Sequence, residues 1–294
     1  MPPEPMDVIH FTDPGCPWAY SAEPMFSTLR YRYGSGLRWR RVMIGLAESS
    51  EQYDARGYLP ERSAKNRTRF ARRFGMPFAF EARGRNMGTG LACRAVRAAE
   101  LQGDAFAEAT LRALRFGFFA SNRLMDTDEA IRDSVRIVDG LDVDQLISDL
   151  HSDAVAEAYE ADRAEARDAT ATGLPAIAQD KTANTDGAVR FTAPSLVFRR
   201  GDATLIAGGW QSLEAYDVCV VNLAPDLPRR ETPEPAIVLP EFPHGLTTEE
   251  VAVACTDPLA EVDREGSLRA LIQLAFEGRA TRTPLGNDAL WKPV

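Results

Sequence analysis

The chain has 294 residues, 45% of them hydrophobic, and a formal net charge of −9, enough to build a full core and an acidic balance that disfavours nonspecific nucleic-acid binding. Its four irregularly spaced cysteines do not suit a secreted disulfide framework, and its three scattered histidines disfavour zinc, so no metal is expected. The N-terminus MPPEPMDVIHF lacks a signal-peptide pattern, and no apolar run reaches the roughly 18 residues of a membrane span, so a reducing cytoplasm is the expected setting.

DVIHF (7–11) is a short apolar run with β-branched residues that stops at the turn signal TDPG, which predicts a buried strand. A helical pattern follows from Cys16 to about Tyr33, and GLRWRRVMIGL (36–46) predicts a second strand. Strand, helix and strand make a βαβ unit with a right-handed crossover. Residues 60–170 read as a helical insert, with helices over 90–103, 104–120, 126–140 and 142–166, and 173–189 reads as a loop. Strands return at 194–200 and 202–210 around the hairpin signal RGD, and 212–223 closes the unit as a helix. This order predicts an α/β fold in three layers, occupying 1–224. Six prolines between Pro225 and Pro243 predict a semi-rigid extended linker over 225–244. Residues 245–294 read as a small module of three helices, the second in PLAEVD (258–263), followed by a hairpin around LGND.

Cys16 carries the candidate chemistry. It stands between strand and helix, where unpaired backbone N–H groups and the helix dipole favour a thiolate, so its pKa is expected below the free value of about 8.5. Pro17 suits the first helical turn, and Trp18 is placed to shield one side of the sulfur. A buried structural cysteine is the bland alternative.

DPGCPWAY after a first strand, a helical insert and a later FTAPSLVF resemble the DsbA-like branch of the thioredoxin superfamily. That branch includes FrnE-type oxidoreductases, 2-hydroxychromene-2-carboxylate isomerases and kappa-class glutathione transferases. The resemblance covers about residues 6–224 and implies a thioredoxin fold. It makes Cys16 the attacking cysteine and Pro194 the cis-proline facing it. It also makes Thr192 and Ala193 candidate substrate contacts through their backbone groups. The C-terminal module resembles a winged helix. With five Lys/Arg against eight Asp/Glu over 245–294, it is a poor DNA reader.

Ala19 departs from the family pattern, because it stands where a second, resolving cysteine is expected. Exchange through Cys16 would stop at a mixed disulfide until an outside thiol attacked it. The leading expectation is therefore a monothiol oxidoreductase or thiol transferase using a low-molecular-weight thiol, glutathione or mycothiol. Its partners would be small thiols or mixed disulfides, with a homo-oligomer left open. One alternative is an isomerase or glutathione-transferase-like enzyme in which Cys16 only holds the thiol cofactor. Another is a redox-sensing binding protein with the winged helix as output.

Cys93 is a candidate resolver, though a buried helix position explains it better, and Cys219 and Cys255 read as core. The six basic residues of RSAKNRTRFARR (62–73), with Arg83 and Arg85, could receive ligand carboxylates, although a solvated helix face is the favoured reading. Asn86 and Thr89 could approach the thiol. His10 reads as a core histidine before it reads as a base.

Overall fold

The computed structural model describes residues 4–168, 181–183, 189–257 and 260–294. Strand β1 (Met6–Thr12) leads through α1 (Pro17–Ser21) and α2 (Glu23–Tyr33) to β2 (Leu37–Met43), which pairs parallel with β1. Two short strands, β3 (Thr182–Ala183) and β4 (Arg190–Phe191), pair outside this sheet. Strand β5 (Ser195–Arg200) pairs antiparallel with β1 and turns at Gly201 into β6 (Ala203–Ala207), giving the order β2-β1-β5-β6. Gly201 has φ +56°, a left-handed conformation that glycine adopts without a Cβ penalty.

Side-chain alternation along β1 splits the core. Met6 and Val8 pack with Phe26 and Leu29 of α2 and with Tyr216 and Val220 of α10 (Leu213–Leu223). Ile9 and Phe11 face the other way, with Ala19, Val42, Val197 and Ala166. The sheet is therefore a middle layer, and the Cys16 loop emerges from its central strand.

The insert comprises α3 (Ser50–Ala55), α4 (Pro60–Phe74), α5 (Gly90–Glu100), α6 (Asp104–Arg115), α7 (Asp128–Val135), α8 (Val143–Asp149) and α9 (Asp153–Arg167). It has its own core, in which small Ala92, Ala95 and Ala99 sit with Ala107 and Leu114. The single helix expected over 142–166 is two, because the Ser152 hydroxyl accepts from Val155 N–H and caps a new start. Residues 75–84 are irregular instead of helical, and the Gly-containing RNMGTG (85–90), which reads as a loop entering the insert, is irregular up to the start of α5 at Gly90. Gly75 ends α4 at φ +70°, and the chain then runs as a strap, with Ala79 N–H donating to the Phe119 carbonyl. The loop expected over 173–189 lies largely outside the described residues.

The C-terminal expectations need correction. Pro235–Val238 is a short helix, α11, followed by a 3₁₀ turn over Leu239–Glu241, and Val238 and Leu239 are buried. Part of the proline-rich segment thus packs instead of spanning open solvent, because its apolar residues complete the core of the following module. That module holds β7 (Leu246–Thr247), α12 (Thr248–Ala254), α13 (Arg264–Phe276), β8 (Ala280–Leu285) and β9 (Asp288–Pro293), with sheet order β7-β9-β8. The LGND hairpin is present. The short second helix is not, within the described residues 260–263, and 258–259 lie outside them.

The module is docked. A capping box closes the start of α12 between Thr247 and Glu250. The buried Glu250 carboxylate also takes both Arg112 nitrogens at 2.5 Å and the Ser27 hydroxyl at 2.9 Å. At the hairpin tip, Asn287 Oδ1 accepts from Phe78 N–H, and Gly286 lies against the Phe78 backbone with no room for a Cβ. A hairpin tip held against Phe78 in this way is not free to enter a DNA groove. Among the described residues no helix is long and apolar enough to cross a membrane.

Losing one partner of a buried ion pair leaves the other charge uncompensated. Glu250→Ala is therefore expected to cost about 3–5 kcal/mol in urea unfolding, with much of it recovered in the double variant Arg112→Met/Glu250→Leu. A loss below about 1 kcal/mol would contradict the docking described.

Candidate functional site

Cys16 sits at the start of α1, 95% buried as a residue, with its S–H donated to the Ala193 carbonyl at 3.1 Å. The next bond, Ala193–Pro194, is cis. Cys16, Pro17, Trp18, Thr192 and Ala193 all line one cleft of about 700 Å³. Trp18 is 41% exposed there and leans edge-on against Phe70 and Phe74 of α4. Ala19 is fully buried in the same apolar cluster as Cys16 and is not among the residues lining the cleft. Pro194 immediately precedes β5, and the carbonyl of the residue before it meets Cys16.

The backbone groups expected to meet a ligand are partly taken. Thr192 N–H donates to the Lys181 carbonyl, the Thr192 carbonyl accepts from Ser195, and the Ala193 carbonyl holds the Cys16 proton.

Asp13 organises the loop and was read from sequence only as part of a turn. Its buried carboxylate accepts from Gly15 N–H at 2.7 Å, Leu46 N–H at 2.8 Å, Thr89 Oγ1 at 2.9 Å and Cys93 Sγ at 3.6 Å. Burial raises its pKa despite these donors. Gly15 is required because a Cβ there would sit 2.5 Å from the Thr89 methyl. Thr89, a candidate to approach the thiol, lines the cleft but spends its hydroxyl on Asp13. Asn86 also lines it and ties Asp54 to the Tyr58 carbonyl.

The expected low pKa of Cys16 is corrected. Burial pushes the thiol up to about 11, and the negative charge of Asp13 adds to the rise. The N–H groups of Ala19 and Trp18 and the charge of Arg115 act downward without offsetting the lost hydration. At neutral pH Cys16 is a thiol that donates a hydrogen bond. Cys93 is fully buried in the insert core, with its pKa raised by burial, and it does not line the cleft. His10 packs on Phe26 and Trp39, and burial holds it neutral, away from the cleft.

The basic segment divides. Lys65, Arg69, Arg72 and Arg73 lie on the exposed side of α4, whereas Arg62 and Arg67, with Arg83 and Arg85, line the cleft. Arg85 pairs with Asp126.

With Cys93, Cys219 and Cys255 replaced by alanine, alkylation of the folded protein should keep accelerating with pH toward a midpoint near 11. A midpoint below the free-cysteine value of about 8.5 would contradict this environment. Asp13→Asn removes a charge that raises the thiol, so its midpoint should move downward, and an upward shift would refute the role given to Asp13.

A family model for the DSBA-like thioredoxin domain matches residues 7–193. The ClpXP adapter protein SpxH of Bacillus subtilis (strain 168) is 24% identical over 293 residues, covering 100% of this chain and 91% of that protein. SpxH of Halalkalibacterium halodurans is 31% identical over 165 residues, covering 54% of this chain and 53% of that protein. Among solved structures, the cytosolic disulfide reductase DsbM from Pseudomonas aeruginosa matches with a TM-score of 0.53 and 15% identity, covering 74% of this chain and 100% of that one. A probable DsbA oxidoreductase from Streptomyces coelicolor matches with a TM-score of 0.53 and 20% identity, covering 78% and 92%. These likenesses to solved structures establish a shared fold.

Proposed function

The chain belongs to the family of DSBA-like thioredoxin domains, and on that premise we propose that Cys16 carries out thiol–disulfide exchange as a lone thiol. The observation that carries the reading is a single cysteine opening onto a ligand-sized cleft, held against the carbonyl before Pro194, with no second thiol among the residues lining that cleft. In this scheme Cys16 loses its proton and its sulfur attacks a disulfide RS–SR′. Cys16–SR forms and R′S⁻ leaves. An external low-molecular-weight thiolate then attacks the R sulfur and releases the Cys16 thiolate, so electrons balance over the two steps. Glutathione and mycothiol are the candidate thiols.

The raised pKa makes the exchange slow at rest. Deprotonation breaks the S–H···O bond to Ala193, so the reaction follows ligand seating and accelerates with pH. A cytoplasmic setting suits a thiol that external thiols must regenerate.

A second reading is supported by the relatives. One protein named a ClpXP adapter aligns over the whole of this chain, which favours a protein-binding role in which the cleft holds a partner segment and Cys16 serves as a hydrogen-bond donor. The two readings separate on Cys16→Ser. Under the first, exchange with glutathione disulfide falls to background. Under the second, partner capture survives the substitution and exchange is incidental. A cofactor-holding isomerase would likewise keep much of its turnover in that variant.

Ala19→Cys offers a converse test. Restoring the family's second thiol should shorten the life of the Cys16 mixed disulfide at least about tenfold without external thiol, because intramolecular attack has a high effective concentration. An unchanged lifetime would contradict the assignment of position 19.

A further inference from the structure

The cleft beside Cys16 is charged against the sign of the protein. The chain carries a net −9, yet among the described residues six arginines line the cleft and no aspartate or glutamate does. Arg85 is paired with Asp126 just outside the lining. Arg56, Arg62, Arg67 and Arg83 have no carboxylate partner among the described residues.

Arg67 and Arg83 are the informative pair. Arg67 is 96% buried and gives its terminal nitrogens to the carbonyls of Ala79 and Glu81 and to the Asn122 side-chain oxygen. The Arg83 guanidinium carbon lies over the Phe118 ring, 3.6 Å from its centroid, and Arg83 donates to the Phe118 carbonyl. The Nε atoms of both are buried without a partner. Burial and the neighbouring Arg67 charge pull Arg83 down to about 9. Burial acts against both charges, and only the charge of Glu81 offsets it, at Arg67, so an anion seated between the two arginines relieves their repulsion and fills unused donors.

We infer that Arg83 and Arg67 form a carboxylate subsite of the Cys16 cleft, selecting small thiols that carry a carboxylate away from the sulfur. The inference rests on the monothiol reading and narrows it. About 700 Å³ suits a small-molecule ligand, and the exposed Trp18 with the half-buried Phe70 and Phe118 provides apolar walls for its stem. Of the two candidate thiols, glutathione carries a carboxylate at each end and mycothiol carries none, so the subsite favours glutathione-like chemistry.

The test uses the full chain and S-methylglutathione, which binds but cannot exchange. Calorimetry should detect its binding to the wild type, weakened at least about tenfold in its diethyl ester and in Arg83→Gln, with Arg83→Lys falling between. The ester comparison needs no variant, so a misfolded Arg83→Gln does not remove the test. Equal binding of acid and ester, no binding of either, or binding of an acidic tetrapeptide while S-methylglutathione is refused would each overturn the inference. Wild-type exchange with the neutral 2-hydroxyethyl disulfide is measured alongside. If that exchange proceeds while the carboxylate preference is absent, the subsite fails and the monothiol reading stands. If that exchange is absent, the monothiol reading fails on its own account.

Discussion

The buried Asp13 carboxylate is the constraint on which the site depends. It joins three segments that are distant in sequence: the Cys16 loop through Gly15, the chain after β2 through Leu46, and the start of α5 through Thr89 and Cys93. A carboxylate taken out of water needs such donors, and these four hold the loop in one place. The same charge acts on the sulfur it positions. It opposes the Cys16 thiolate, and it engages Cys93 as a donor.

The helix-start argument for a low Cys16 pKa omitted a competing term. Backbone N–H groups do aim at the sulfur, but the buried thiol loses its hydration, and that loss is the largest influence on its pKa. Burial could not be read from DPGCPW, because it is made with residues distant in sequence, among them Val42, Phe191 and Ala193. The outcome is a protonated thiol with a defined acceptor, which links reactivity to whatever displaces the Ala193 carbonyl.

Local pattern made the frame of the fold legible. β1, β2 and the hairpin at Gly201 follow from apolar runs bounded by turn residues, and the family resemblance placed Cys16 opposite Pro194. Ser152 was a visible cap inside a long helical pattern and could have divided α8 from α9. The docking of the C-terminal module was not visible. Glu250 reads locally as half of a capping box, and its partner Arg112 lies 138 residues away in the insert. The arginines of the cleft were half legible. Their number was plain, but a helix alternates faces, and only the fold shows that Arg67 turns inward with Arg83 while Arg69 and Arg72 face solvent.

One measurement bears most directly on lone-thiol exchange: peptide-mapped mass spectrometry of the wild-type chain after incubation with glutathione disulfide at mildly alkaline pH, before and after addition of free thiol. The account predicts one glutathione on Cys16, persisting until thiol is added and then lost. A disulfide between Cys16 and Cys93, or no modification of Cys16 while the protein stays folded, would contradict it.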